Sequence, residues 1–102
     1  MNEPEVYEAK LDFDGGVRRV RQVTEIEAIL LRKDGIDVVV CGGSRWGNRT
    51  LAQSIEAQAN GKWKRELPHE RMRGKALPHY QPHLRGPTGH TFYETEYRKA
   101  IG

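Results

Sequence analysis

Apolar and polar side chains alternate from the start of the chain. Between residues 5 and 22, Val6, Glu8, Lys10 and Asp12 interleave with Tyr7, Ala9, Leu11 and Phe13, and only the second series is largely apolar. Asp14-Gly15-Gly16 supplies residues that tolerate positive φ, so residues 17–23 return as a second, weaker strand of a hairpin. The period then lengthens. Thr24 and Glu27 have capping-box spacing, Ile26, Ala28, Ile29, Leu30 and Leu31 offer an apolar face, and Asp34-Gly35 ends the predicted helix.

Residues 36–41, Ile-Asp-Val-Val-Val-Cys, are β-branched and apolar apart from Asp37, which predicts a central strand buried on both faces. A turn at Gly42-Gly43-Ser44 leads into a helix predicted from about residue 48 to 59, with Asn48 as its cap. Leu51, Ile55 and Ala59 share one face, and Asn60-Gly61 is the stop. Residues 62–67 read as a strand, 69–75 as a basic loop, 76–80 as a short strand, 82–89 as a loop and 90–94 as the last strand. Residues 95–101 read as a short helix or a frayed tail. This order predicts an α+β fold: an N-terminal hairpin and helices followed by a mainly antiparallel β-sheet.

The 102 residues suffice for one domain, spanning 1–102. At 36% apolar residues and a mean hydropathy of -0.79, the core is modest. No apolar run approaches the ~18 residues of a membrane span, the first residues lack the apolar core of a signal peptide, and a single cysteine, Cys41, excludes an internal disulfide. No membrane partner is therefore expected.

Charge separates along the chain. Residues 1–60 carry 8 basic and 10 acidic side chains, whereas residues 61–102 carry 9 basic and 4 acidic, +5, together with all four histidines. Segregation of sign points to a polyanion partner, against the plainer alternative of a solvated basic face. Candidate RNA-binding residues are Lys62, Lys64, Arg65, Arg71, Arg73, Lys75 and His83, with Tyr80 able either to stack on a base or to pack in the sheet.

Residues 76–94 are the densest in reactive side chains. Histidine exchanges protons near neutral pH. RNA cleavage without a metal needs a base for the 2′-hydroxyl, an acid for the departing 5′-oxygen, and donors for the charge on the phosphoryl oxygens. Two histidines with Arg85, Lys75 and Thr91 can supply all three. His69 reads as a loop histidine, His79 and His83 read equally well as surface or catalytic histidines, and His90 opens a strand at a position that can face a cleft. The spacing of His79, His83 and His90 fits no zinc pattern, and the basic segment lacks the clustered carboxylates of a magnesium nuclease, so no metal or cofactor is expected. The glycine-rich turn before residue 48 lacks a P-loop's Gly-Lys-Ser/Thr, although Arg45 and Arg49 add to a polyanion surface. Cys41 reads as a core residue.

Several stretches resemble a known domain type: Asp34-Gly-Ile-Asp-Val-Val-Val-Cys-Gly, Asn48-Arg-Thr-Leu-Ala, Leu77-Pro-His-Tyr-Gln-Pro and Gly89-His-Thr-Phe-Tyr-Glu94. Over residues 34–94, the core of the domain beyond the 5–22 hairpin, the chain resembles C-terminal toxin domains of bacterial polymorphic (Rhs-type and contact-dependent) toxin systems. The resemblance implies a barnase/EndoU/colicin/RelE-like RNase fold, in which helices precede an antiparallel sheet whose face cuts RNA. It implies His79 as base, Arg85 as phosphate clamp, His90 as acid and Thr91 as phosphate donor. The implied activity is metal-independent endoribonuclease cleavage, with tRNA or rRNA as possible substrate, a cytoplasmic site of action and an acidic immunity protein as partner. A non-catalytic RNA- or DNA-binding domain using the same basic half is the alternative, and an interaction module with incidental histidines the third.

Overall fold

The computed structural model describes residues 3–67, 76–83 and 88–102. Eight elements follow in order: β1 (Glu5–Leu11), β2 (Val17–Val23), α1 (Glu25–Lys33), β3 (Val38–Cys41), α2 (Arg45–Asn60), β4 (Trp63–Glu66), β5 (His79–Pro82) and β6 (Thr91–Tyr93). The strands form one sheet in the order β2-β1-β3-β6-β5-β4. Only the central pair, β3 with β6, is parallel, so the fold is α+β with a mostly antiparallel sheet. Among the described residues no helix is long and apolar enough to cross a membrane.

Strand periodicity sorts the core into two clusters. Val38 and Val40 of β3 face the helices with Val6, Val23, Ala28, Ala52, Ile55, Tyr80 and Tyr93. Val39 and Cys41 face the other way with Ala9, Val17, Leu77 and Phe92. Every residue of β3 is buried, as its apolar run predicts. The hairpin turns where Asp14-Gly15-Gly16 predicts it, with Gly15 at φ 90° and Gly16 N donating to Asp14 Oδ1 at 3.0 Å.

In α1 the capping box forms in both directions: Glu27 N donates to Thr24 Oγ1 at 3.1 Å and Thr24 N to Glu27 Oε1 at 2.9 Å. The buried stripe matches the prediction in part: Ala28, Ile29 and Leu31 pack against the core. Ala28 and Arg32 turn inward, while Ile26 and Leu30 face solvent. Apolar residues on both sides of α1 leave its rotation open in the pattern, and an ion pair of Arg32 with α2 sets it. The start of α2 also differs from the prediction. Ser44 is the cap, accepting from Gly47 N at 3.0 Å. Asn48 lies inside the helix, where its side chain ties Gly43 to the Glu94 carbonyl.

β5 begins later than expected, at His79: Pro78 O still accepts from Tyr93 N at 3.1 Å, but residues 76 and 77 lie outside the ladder, with Leu77 in the second cluster. The C-terminal segment is neither a helix nor frayed. Glu94 Oε2 accepts from Ala100 N at 2.7 Å, and Ile101 pairs with β2 through Ile101 N to Val17 O at 2.8 Å and Arg19 N to Ile101 O at 2.7 Å. The segment thereby covers the free edge of β2.

Candidate active site

The register of β5 and β6 brings two histidines together. His79 stands opposite Phe92, and His90 lies two residues before Phe92, so all three project from the face turned away from the helices. The His79 and His90 ring centroids are 4.6 Å apart, edge to face. Both rings also touch Phe92, at 5.3 and 5.1 Å. The pair therefore rests on a buried apolar floor.

Each ring has one tether. His79 Nε2 lies 2.9 Å from Gln81 Oε1, two residues along the same strand face. Asp37 Oδ1 accepts from the His90 backbone N–H at 2.7 Å and lies 3.2 Å from His90 Nδ1. One carboxylate oxygen thus fixes both the main chain and the imidazole. With its Nδ1 proton given to Asp37, His90 keeps Nε2 for chemistry, and that nitrogen has no hydrogen-bond partner among the described residues. Burial, and then the charge of His90, hold the His79 pKa below the usual histidine value, against smaller opposing effects from Gln81, the Leu77 backbone and Glu66. His79 is accordingly neutral at pH 7. Two imidazoles in contact carry one positive charge far more readily than two.

The residue preceding His90 is pinned from the other side of the sheet. Arg32 and Glu56 form a fully buried ion pair at 2.9 Å, and Arg32 Nη1 donates to the carbonyls of Thr88 at 3.0 Å and Ile36 at 3.2 Å. Gly89 has φ 91°, and a Cβ there would stand 2.5 Å from Arg32 Nη1 and 2.7 Å from Gly35 O. Gly89→Ala is expected to lower stability by about 2–3 kcal/mol, from left-handed strain together with overpacking. Chemical denaturation measures it; an unchanged midpoint would show that the approach at Gly89 relaxes freely.

The other candidates separate. Thr91 is fully buried on the helix face of β6, donating to Glu56 Oε1 at 2.9 Å and accepting from Arg32 Nε at 3.1 Å. It cannot reach a phosphate on the histidine face; strand alternation turns it to the opposite side. Tyr80 is likewise fully buried, 4.9 Å from Trp63 between ring centroids and accepting from Arg49 at 3.1 Å, so it packs the core and does not stack on a base. Lys64 and Glu66 form an ion pair at 3.7 Å and lie in register with Gln81 and His79. Lys62 and His83 are exposed together just beyond the β4–β5 ladder, joined by His83 N to Lys62 O at 3.0 Å. Arg65, opposite Tyr80, belongs to the helix side. Arg71, Arg73, Lys75, Arg85 and His69 lie outside the described residues.

Asp37 and Gln81 are the residues the motif reading missed. A lone carboxylate in a run of buried β-branched residues is the signal for Asp37, since such a charge needs a partner. Cys41 is a core residue whose thiol pKa is pushed up to about 12, mainly by burial. Among the described residues no group of three or more His, Cys, Asp or Glu side chains is arranged to hold a metal ion. The chain matches no protein-family model, no curated protein and no solved structure.

Proposed function

We propose that this protein is a metal-independent, toxin-like endoribonuclease that cleaves RNA by attack of the 2′-hydroxyl on the adjacent phosphate. The observation that carries the proposal is the His79–His90 contact with Asp37 behind it. Neutral His79 takes the proton of the 2′-hydroxyl at Nε2, which must first leave Gln81 Oε1, because its Nδ1 is buried. His90, as an imidazolium paired with Asp37, gives its Nε2 proton to the departing 5′-oxygen. The new O–P bond closes a 2′,3′-cyclic phosphate as the P–O5′ bond breaks, and one proton is taken while one is given. Rings 4.6 Å apart leave no room for a phosphate between them, so the scissile group sits across their outer edges.

Arg85, five residues before His90, remains the proposed phosphate clamp, and Lys62, Lys64 and His83 would meet the flanking backbone. Arg71, Arg73 and Lys75 extend that polyanion surface, tRNA or rRNA is the proposed substrate in a cytoplasmic setting, and an acidic immunity protein is the proposed inhibitor. A non-catalytic RNA- or DNA-binding role is the second reading, favoured by the arginines that gather on the other side of the sheet.

The test uses a short end-labelled RNA and its all-deoxy counterpart, each with EDTA present. Cleavage of the RNA alone, leaving a cyclic phosphate, is the expected result. Cutting of the deoxy strand, a requirement for divalent cation, or an intact RNA would each overturn the enzymatic reading.

A further inference from the structure

Four arginines converge on a cleft of about 230 Å³ that the proposed cleavage does not use. Arg45 and Arg49 come from the first turns of α2, Arg65 from β4 and Arg98 from the C-terminal segment, and Tyr93 and Tyr97 add aromatic walls. The cleft lies beyond the C-terminal ends of the two parallel strands, β3 and β6, and at the end of α2 where the backbone N–H groups point outward. The histidine pair is at the other end of β6 and on the other face of the sheet.

Among the described residues, opposing charge is sparse there. Arg45 has one carboxylate partner, Glu96, at 2.9 Å, and both side chains are more than half exposed, so an arriving anion can displace it. Arg49 is held by the Tyr80 hydroxyl at 3.1 Å and stands 5.4 Å from the Trp46 ring centroid. Arg65 and Tyr93 line the same cleft, and Arg98 Nη1 donates to Ala76 O at 3.0 Å. These neutral partners position the guanidinium groups without cancelling their charge.

We propose that this cleft binds a nucleoside phosphate, either a free mononucleotide or one unit of a single strand. Guanidinium groups present paired N–H donors that match phosphate oxygens, and Tyr97, 86% exposed, offers a face on which a base can stack. An acidic protein surface would need a broad basic plane; four arginines around a volume of this size suit one phosphate with its base. The inference stands on the cleft itself and not on cleavage at the histidines.

The experiment measures binding of AMP, adenosine and a short oligodeoxynucleotide, which lacks the 2′-hydroxyl and reports binding alone. The proteins are the wild type, Arg45→Glu/Arg65→Glu, and Lys10→Glu/Lys33→Glu, which carries the same net charge with its changes at exposed positions outside the cleft. AMP is expected to bind at least tenfold more tightly than adenosine. Affinity for AMP should fall at least tenfold in the cleft variant and less than about threefold in the control. Displacement of AMP by the oligodeoxynucleotide would assign the cleft to a polynucleotide; failure of displacement would assign it to a free nucleotide. His79→Ala/His90→Ala should bind AMP as the wild type does, which separates this site from the catalytic proposal. Equal loss in cleft and control variants, or equal affinity for AMP and adenosine, would overturn the assignment. A circular-dichroism melt of each variant excludes unfolding as the cause of any loss.

Discussion

His90→Ala is expected to lower the rate of RNA cleavage by about 10²–10⁴-fold, the usual worth of a general acid or base, while leaving RNA affinity within about threefold. The asymmetry arises because one imidazole contributes little to phosphate attraction but supplies the leaving-group proton. His79→Ala should cost a similar factor, and the double variant little more than either single one, because base and acid serve the same step. The pH dependence gives an independent check. With the His79 pKa lowered, the base stays unprotonated as pH falls through about 6.5, so the acidic limb of the rate profile should lie below that value. Burial is the larger cause of the shift and the charge of His90 the smaller. His90→Ala should therefore move the His79 titration, followed by NMR, part of the way back toward the ordinary value. Wild-type cleavage by both single variants would end the catalytic assignment and leave the binding role in its place. A His79 titration indifferent to His90 would show that the rings do not interact in solution.

The elements were legible where a local cause acts alone. The capping box at Thr24 and Glu27, the glycine turn after Asp14 and the apolar run of β3 each hold their own instructions. What could not be read depends on partners distant in sequence. Arg32 looks like a helix-terminal cation facing solvent, and only Glu56, 24 residues later, makes its burial possible. The side of the sheet on which a side chain emerges follows from register, and register decided the fate of the candidates. His79 and His90 share a face with Phe92, whereas Thr91 and Tyr80 point to the helices. Asp37 illustrates the same limit: the sequence marks it as an oddity in a strand, and the parallel pairing of β3 with β6 supplies His90 as its partner.

Removing one member of the buried Arg32–Glu56 pair is expected to have the largest effect on stability. Both side chains are fully buried. Glu56→Ala leaves a guanidinium in the core without its counter-charge and removes the acceptor for Thr91 Oγ1, at an expected cost of about 3–5 kcal/mol. Against a typical total of about 5–15 kcal/mol for a domain, that is a large share. Arg32→Ala strands Glu56 in the same way and also frees the carbonyls of Ile36 and Thr88. The pair Arg32→Met/Glu56→Leu replaces both charges by apolar groups of similar length, so it should be far less destabilising than the sum of the two alanine variants. The loss that remains in it measures the groups left without partners: the two carbonyls, the Thr91 hydroxyl and the Asn60 amide. Urea unfolding of the four proteins, followed by tryptophan fluorescence, gives the comparison. Because Arg32 also holds the backbone next to Gly89 and His90, the apolar pair should lose cleavage rate even where it keeps stability. A double variant as unstable as the summed singles would mean that the arginine acts through its carbonyl contacts, with the ion pair contributing little.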